Sequence, residues 1–498
     1  MLTTNNSENS ALFTDFYSLT MAQGYFKRSL KERAVFEMFF RQQPFSGGYS
    51  IFAGLGTLLE SLTAFSFSDD DIEYLKTLRV FEDSFLDYLK TFRFKGSLWS
   101  MDEGTVIFPH EPLIRVEGNL IECQIIEGLI LNIVNFQTLI ATKTCRIWLA
   151  SKKGNVMEFG LRRAQGPDGA LSASRAAFIG GAAGTSNTLA GKIFGIPVMG
   201  TMAHSWIMSF ENEEEAFDNY AAIYPERAIF LIDTYDTLKS GIINAIKSGK
   251  KLLAKGKNFG VRLDSGDIQY LSVEVRKMLD EAGLPKAFIT ASNDLDEHII
   301  EMLVKENTPI DSWGVGTRMV TGGQNANAVS AAFPGVYKLS ARVDIDKTIP
   351  VMKVSDNMEK TTNPGLKQVW RVKDKNGFAV ADVLGLVSSG DKSGETLDDI
   401  KNGERYCFWH HCGDYRHFIH DVDGSAEPML KKRMENGALT QKLPALDEIK
   451  KHAQKELETL DATYKRLLNP HVYKVSITDN LRNLKLELIK KHLGKKEG

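Results

Sequence analysis

From residue 156 onward the chain alternates short apolar runs with amphipathic stretches, and that rhythm restricts its fold more than any other feature. The runs cover residues 156–159, 197–199, 228–232, 259–263, 287–290 and 312–315, and 335–339 follows. Each is short enough for a buried strand, and the stretches between them carry helical periodicity. Parallel strands need a crossover of about a dozen residues or more, which these spacings supply. Six such runs in series favour a (β/α) barrel over a short open sheet. The expected class is α/β.

In such a barrel the residues just past the strand ends surround one mouth. After the first run come Gly160-Leu161-Arg162-Arg163-Ala164-Gln165-Gly166-Pro167. The second leads to His204, the third to Asp233-Thr234-Tyr235-Asp236-Thr237. The fourth carries Arg262 and runs into Asp264-Ser265-Gly266-Asp267. The fifth meets Ser292-Asn293-Asp294, and the sixth Gly314-Val315-Gly316-Thr317-Arg318.

Each segment also has a structural reading. Asp233, Asp267 and Asp294 read as helix N-caps or first-turn acids. The glycines read as turn formers, Arg162 and Arg163 as a surface pair, and His204 as a hydrogen-bonded loop residue. The coincidence at six strand ends favours chemistry. Glycine turns and helix starts offer N–H groups to phosphate. Arginines grip carboxylate or phosphate as a fork. Aspartates hold Mg2+ or accept ribose hydroxyls. A mouth with both signs fits a phosphorylated sugar with its magnesium, beside a small anionic acceptor.

Outside this region the pattern predicts a disordered start over 1–11, a helix over 12–30, a strand over 35–41 and helices over 55–89. Strands follow over 104–117, then a buried apolar helix over 121–149. A hairpin is expected over 368–381, a charged helix over 446–468, and a solvated basic helix ending in Lys490, Lys491, Lys495 and Lys496. The formal net charge of -2 gives no pull toward nucleic acid or anionic membrane. No apolar run approaches the ~20 residues of a membrane span, and no leader segment is visible. Four cysteines in 498 residues do not suggest a disulfide framework, so a cytoplasmic protein with reduced thiols is expected.

Several long motifs stand in fixed order. They are 12–21, Glu158 through Gly169, Gly184-Thr185-Ser186-Asn187-Thr188, Gly200-Thr201-Met202-Ala203-His204-Ser205, 261–267, 313–317 and 360–368. Through them most of the chain closely resembles nicotinate phosphoribosyltransferase, a family of the type II phosphoribosyltransferases. The resemblance implies an irregular (β/α) barrel with a second, smaller α+β domain built from N- and C-terminal segments. The expected division is 1–150, a barrel core over 151–350 carrying the active site, and 351–498 packing with the N-terminal domain. It implies that nicotinate and phosphoribosyl pyrophosphate give nicotinate mononucleotide and pyrophosphate. ATP hydrolysis is coupled to the reaction, Mg2+ accompanies the pyrophosphate, and a homodimer shares its active sites.

The resemblance also implies roles. His204 takes a phosphoryl group from ATP. The pyridine ring stacks between Phe159 and Tyr17, the latter from the partner chain, and Arg162 binds the nicotinate carboxylate. Thr185 and Ser186 join the substrate site. The related nicotinamide-using enzymes carry an aspartate at the place of Ser186, where it would repel a carboxylate that a serine can donate to. Arg262 and Asp264 face ribose and pyrophosphate, Asn293 and Asp294 the ribose hydroxyls. Gly314, Gly316 and Thr317 cradle the 5'-phosphate.

The rival readings are a nicotinamide phosphoribosyltransferase, a phosphate-barrel aldolase or isomerase, and a non-catalytic binding protein that kept the fold. The second wants a strand-end lysine, and Lys338 lies inside an expected strand. One cluster stays outside this account: Cys407, His410, His411, Cys412, His417 and His420. Such density could bind zinc, but the spacing matches no standard zinc pattern and the resemblance implies no metal here, so it reads first as a Cys/His-rich surface strand and turn.

Overall fold

The computed structural model describes residues 10–28, 33–323, 332–344, 347–357, 360–388 and 394–493. The chain forms two units. One comprises Met1–Leu139 with Ala328–Gly498, the other Ile140–Asn327.

The second unit is built on six parallel strands: β1 (Asn155–Glu158), β2 (Gly184–Thr185), β3 (Ile229–Leu231), β4 (Gly260–Leu263), β5 (Phe288–Ala291) and β6 (Ser312–Val315). Their order is β2-β1-β6-β5-β4-β3. The strands are short and nearly continuously buried, as parallel strands covered on both faces must be. Helices Gly166–Ile179, Glu213–Ile223, Ile242–Leu253, Ile268–Glu281 and Glu297–Lys305 connect them. Phe217, Phe230, Phe259, Val261 and Leu279 belong to one buried apolar cluster of this unit.

Val198 adds one parallel bridge to Thr185, at the outer edge of β2. From that edge to β4 is five strand steps, about 24 Å in a flat sheet. Three extended residues span only about 10 Å. Yet Thr201, three residues past Val198, accepts a hydrogen bond on Oγ1 from Nη1 of Arg262 in β4. His204 Nδ1 lies 3.1 Å from Oγ1 of Thr234, just past β3 at the far edge. The sheet is therefore rolled into a barrel, and these side-chain bonds close its mouth where no ladder does among the described residues.

Two strand expectations need correction. Pro197–Met199 is not a buried strand, since Val198 makes a single bridge and is 45% exposed. Gly184–Thr185 takes the place beside β1, because the Thr185 hydroxyl is held by the buried carboxylate of Glu158. The run at 335–339 is not part of the β/α series. It belongs to the strand Gly335–Asp344, antiparallel to Arg33–Phe40 in the first unit. An apolar run shows that a strand is buried but not which partner covers it.

In the first unit, N- and C-terminal segments share a seven-stranded sheet. Its order is Lys347–Pro350, Gly335–Asp344, Arg33–Phe40, Ile114–Asn119, Ser97–Ser100, Lys431–Glu435 and Ala438–Leu439. A six-stranded sheet is purely C-terminal and contains the expected hairpin, Lys367–Asp374 against Ala379–Leu386. Arg371 lies in a fork on Asp382, with Nε–Oδ1 at 3.0 Å and Nη2–Oδ2 at 2.7 Å. It also donates to Val106 O at 2.8 Å, tying the N- and C-terminal segments together.

This unit is the larger one, with 139 and 171 residues against 188 in the barrel unit, not the smaller domain expected. The weak hydropathy pattern after residue 353 conceals antiparallel strands, which need only one buried face. The divisions fall at 139/140 and 327/328 rather than at 150 and 350.

The opening helix spans Phe16–Lys27, and the charged helix stops at Glu458. The last helix, Asp479–Leu493, includes Lys490 and Lys491. Residues 1–9, Lys495 and Lys496 lie outside the described residues. Leu120–Ala150 is, against expectation, long and apolar enough to cross a membrane, but 72% of its most apolar window is buried inside the protein. Its two basic residues share one acid: Lys143 and Arg146 meet Glu297 at 2.5 and 3.0 Å.

Phe230 is fully buried, 4.9 Å from the Phe217 ring and 5.7 Å from Phe259. Phe230→Ala is expected to cost about 3–5 kcal/mol. Denaturant unfolding followed by fluorescence checks this, and a loss under 1 kcal/mol would contradict the packing.

Candidate active site

The site grows from the end of β1. Glu158 is 1% exposed and accepts three hydrogen bonds. Gly160 N–H donates to Oε1, while Ser174 Oγ (2.9 Å) and Thr185 Oγ1 (2.5 Å) donate to Oε2. An ionised carboxylate leaves water only with such partners. The bonds fix the turn after β1, the helix Gly166–Ile179 and β2 relative to one another. Phe159 N–H extends the ladder to Val315 O at 2.8 Å, and its ring lies on Gly314. A Cβ at residue 314 would come within 2.6 Å of two ring carbons, so only glycine leaves room for the ring.

Past β2, Ser186 N–H donates to Glu158 O at 2.9 Å, and Asn187 caps the helix Thr188–Phe194. Thr185 is 1% exposed and turned to Glu158; it supports the wall and does not line the cavity.

Across the mouth, Arg262 is largely buried. Desolvation lowers its pKa from the usual guanidinium value and Arg162 adds to that, while Asp264 and Asp233 oppose it. Its Nε is buried without a hydrogen-bond partner. Asp233 Oδ2 accepts from Asp264 N–H (3.1 Å) and Ser265 Oγ (2.5 Å), and its Oδ1 is a second buried atom without a partner. Asp264 in turn accepts from Ser292 Oγ. Asn293 has φ +107°, a left-handed strain of a kind that concentrates at functional sites.

These ends enclose a cavity of 330 Å³, a size suited to small ligands. Phe159, Arg162, Ser186, Arg262, Asp264, Asn293, Asp294, Gly314, Gly316 and Thr317 all line it. His204 stands at its rim as the first residue of the helix His204–Met208. Its Nδ1 faces the Thr234 hydroxyl, and its Nε2 lies 3.8 Å from Asp264 Oδ2, with 41% of the side chain exposed. Tyr17 lies in the first unit, on Phe16–Lys27, and is 47% exposed. Burial and then Glu127 push its phenol up to about 12.

Sequence reasoning missed Glu158 as a hub, although an acid inside an apolar run was the signal. It also gave no role to Thr201, Ser292 or Thr234, since hydroxyls are too common to stand out. Of the three cap candidates, Asp267 does cap a helix, taking Tyr270 N–H at 3.0 Å. Asp294 does not; Asp296 caps Glu297–Lys305. Asp233 instead holds the 264–265 turn. Lys338 sits within the strand Gly335–Asp344 of the first unit's sheet, not at a strand end of the barrel.

A parallel barrel whose strand ends bring arginines, carboxylates and glycine N–H groups to one cavity is the frame of a phosphate- and carboxylate-handling enzyme. Family comparison gives the particular kind. The nicotinate phosphoribosyltransferase N-terminal domain matches residues 12–135, the family's central model 155–384, and its C-terminal domain 366–485. The Bacillus subtilis nicotinate phosphoribosyltransferase is 39% identical over 97% of this chain and 96% of its own. The crystal structure of human nicotinic acid phosphoribosyltransferase superposes with a TM-score of 0.81 at 28% identity, covering 95% of this chain and 99% of that one. A nicotinate-nucleotide pyrophosphorylase from Pyrococcus furiosus shares the fold, with a TM-score of 0.65 at 23% identity over 90% of this chain and 95% of that one. The chain belongs to the nicotinate phosphoribosyltransferase family.

The contact between Phe159 and Gly314 can be tested directly. Gly314→Ala forces the ring to move, at a cost typical of overpacking, and is expected to weaken nicotinate binding about tenfold. Calorimetric titration reads this, with thermal unfolding as the check on folding. Unchanged affinity would show that the ring is not part of the binding surface.

Proposed function

We propose that this chain joins nicotinate to phosphoribosyl pyrophosphate, yielding nicotinate mononucleotide and pyrophosphate, and couples the step to ATP. The observation that carries the reading is a single cavity lined at one side by Phe159, Arg162 and Ser186 and at the other by Arg262, Asp264 and the Asn293–Asp294 turn. An aromatic face, an arginine fork and a serine hydroxyl suit a pyridine carboxylate. The remaining residues suit ribose and phosphates, with Gly316 and Thr317 offering N–H groups to the 5'-phosphate.

The pyridine nitrogen attacks the anomeric carbon. The bond from that carbon to oxygen breaks, and its electron pair leaves with pyrophosphate. No general base is needed, because the attacking nitrogen carries no proton. Positive charge develops on the sugar as in glycoside chemistry. Arg262 meets the charge of the departing pyrophosphate, so catalysis is positioning and electrostatics. Mg2+ enters with the pyrophosphate as part of the substrate and neutralises part of its charge. The unpartnered Oδ1 of Asp233 and the carboxylate of Asp264 are hard oxygen donors suited to it.

His204 takes the terminal phosphoryl group of ATP, releasing ADP. Its position at the rim beside Asp264 supports that role, since phosphorylation adds an anion next to the pyrophosphate site. Tyr17 of the partner subunit in a homodimer covers the second face of the pyridine ring; its half-exposed side chain is available for that. The enzyme works in the cytoplasm with reduced thiols.

The test is a product assay with nicotinate and phosphoribosyl pyrophosphate, with and without ATP. The wild type should form mononucleotide and be stimulated by ATP. His204→Ala should keep residual synthesis and lose the stimulation. Full stimulation in that variant would remove the phosphohistidine from the scheme, and turnover with nicotinamide alone would overturn the substrate assignment.

A further inference from the structure

The Cys/His cluster that the reaction leaves unused forms a compact arrangement in the first unit. Strands Tyr406–His410 and Arg416–Ile419 pair antiparallel, and the turn between them holds His411 and Cys412. One donor atom each from His410, His411 and Cys412 lies within 4.8 Å of the others. His410 Nδ1 and Cys412 Sγ are 3.7 Å apart. A tetrahedral Zn2+ with bonds of about 2.0 Å to nitrogen and 2.3 Å to sulfur sets its ligands about 3.6 Å apart. The pair already matches that edge.

The surroundings orient these ligands. His411 Nδ1 lies 3.3 Å from Val475 O, so it carries the proton and Nε2 presents its lone pair. A carbonyl on the far nitrogen is the usual partner of a metal-binding imidazole. The His411 ring packs against two others, His110 and His410, each with its centroid 4.2 Å away. On the adjoining side a cavity of 200 Å³ is lined by His410, His411, Cys412 and Lys485, leaving space for a water as fourth ligand.

Two features oppose a cation here. His410 Nδ1 accepts from the N–H groups of Gly413 (2.8 Å) and Cys412 (3.2 Å), so a metal must displace both. Lys485 brings a positive charge, but its ammonium is bound to His411 O and Asn363 Oδ1 at 3.0 and 2.9 Å. A metal-bound Cys412 thiolate would balance it.

We propose that His410, His411 and Cys412 form a binding site for a borderline-soft divalent cation of the Zn2+ class, with an open fourth position. Two imidazoles and a thiolate select against Mg2+, which demands oxygen donors and octahedral geometry. The site is thus chemically separate from any magnesium that enters the barrel with pyrophosphate.

The test adds Co2+ to the chelator-stripped full chain. One equivalent should produce thiolate-to-cobalt charge-transfer absorption and the intense visible bands of a four-coordinate ion. Zn2+ should abolish both, and Mg2+ should not. Cys412→Ser should eliminate the charge-transfer band, His411→Ala should weaken binding at least tenfold, and Cys407→Ser should leave the spectrum unchanged. Should Cys412→Ser fail to fold, alkylation of the wild type decides. Zn2+ should slow carboxymethylation of Cys412, located by peptide mapping, at least tenfold. Absence of the cobalt bands, their survival in folded Cys412→Ser, or Cys412 alkylation indifferent to Zn2+ would overturn the site.

Discussion

The barrel's mouth depends on one buried carboxylate. Glu158 sits at the end of β1 with donors from the turn after it, from the helix Gly166–Ile179 and from β2. Removing the acceptor would leave buried donors unsatisfied at roughly 1–3 kcal/mol each, so the three segments move together or not at all. Phe159 and Gly160 follow Glu158 directly, and Ser186 bonds to its carbonyl. Phe159 and Ser186, which line the cavity, are therefore positioned by a buried group that is not part of its lining.

The second constraint is the roll of the sheet. A flat six-stranded array would hold Thr201 and Arg262 far apart. Rolling brings them into contact and sets His204 against Thr234. The seam is closed by side chains at the mouth, so the residues that complete the barrel there are also those next to the chemistry. His204 thus stands where a change of its charge is felt by Asp264 and the barrel edge together. A charge placed at such a seam acts on both of its sides at once.

Much of this was legible before the fold was known. Five of the six expected strands lie in the parallel sheet, because fully buried strands must be apolar throughout and are bounded by turns. The strand-end residues Arg162, Arg262, Asp264, Asn293, Asp294 and Gly314 converge on one cavity for the same reason: parallel strands point their C-terminal ends one way. What misled was local resemblance without a partner. Val198 looked like a strand and is an exposed bridge, while Gly184–Thr185, too short and polar to be noticed, is a strand because Glu158 holds it. Thr185, expected in the substrate site, is buried with its hydroxyl on Glu158. The first unit was underestimated because its antiparallel strands carry half the hydrophobic signal of parallel ones.

By itself, then, the sequence determined the β/α rhythm, the family and the chemical types gathered at the strand ends, since periodicity and motif order are properties of the chain alone. Tertiary structure decided which strand lies beside which, how two distant chain segments share one sheet, and which hydroxyls and carboxylates meet. It also decided that His410, His411 and Cys412, at a spacing of no known pattern, bring their donor atoms together. Hydrogen bonds and ligand bonds depend on distances of a few ångströms in space, and separation along the chain does not encode those.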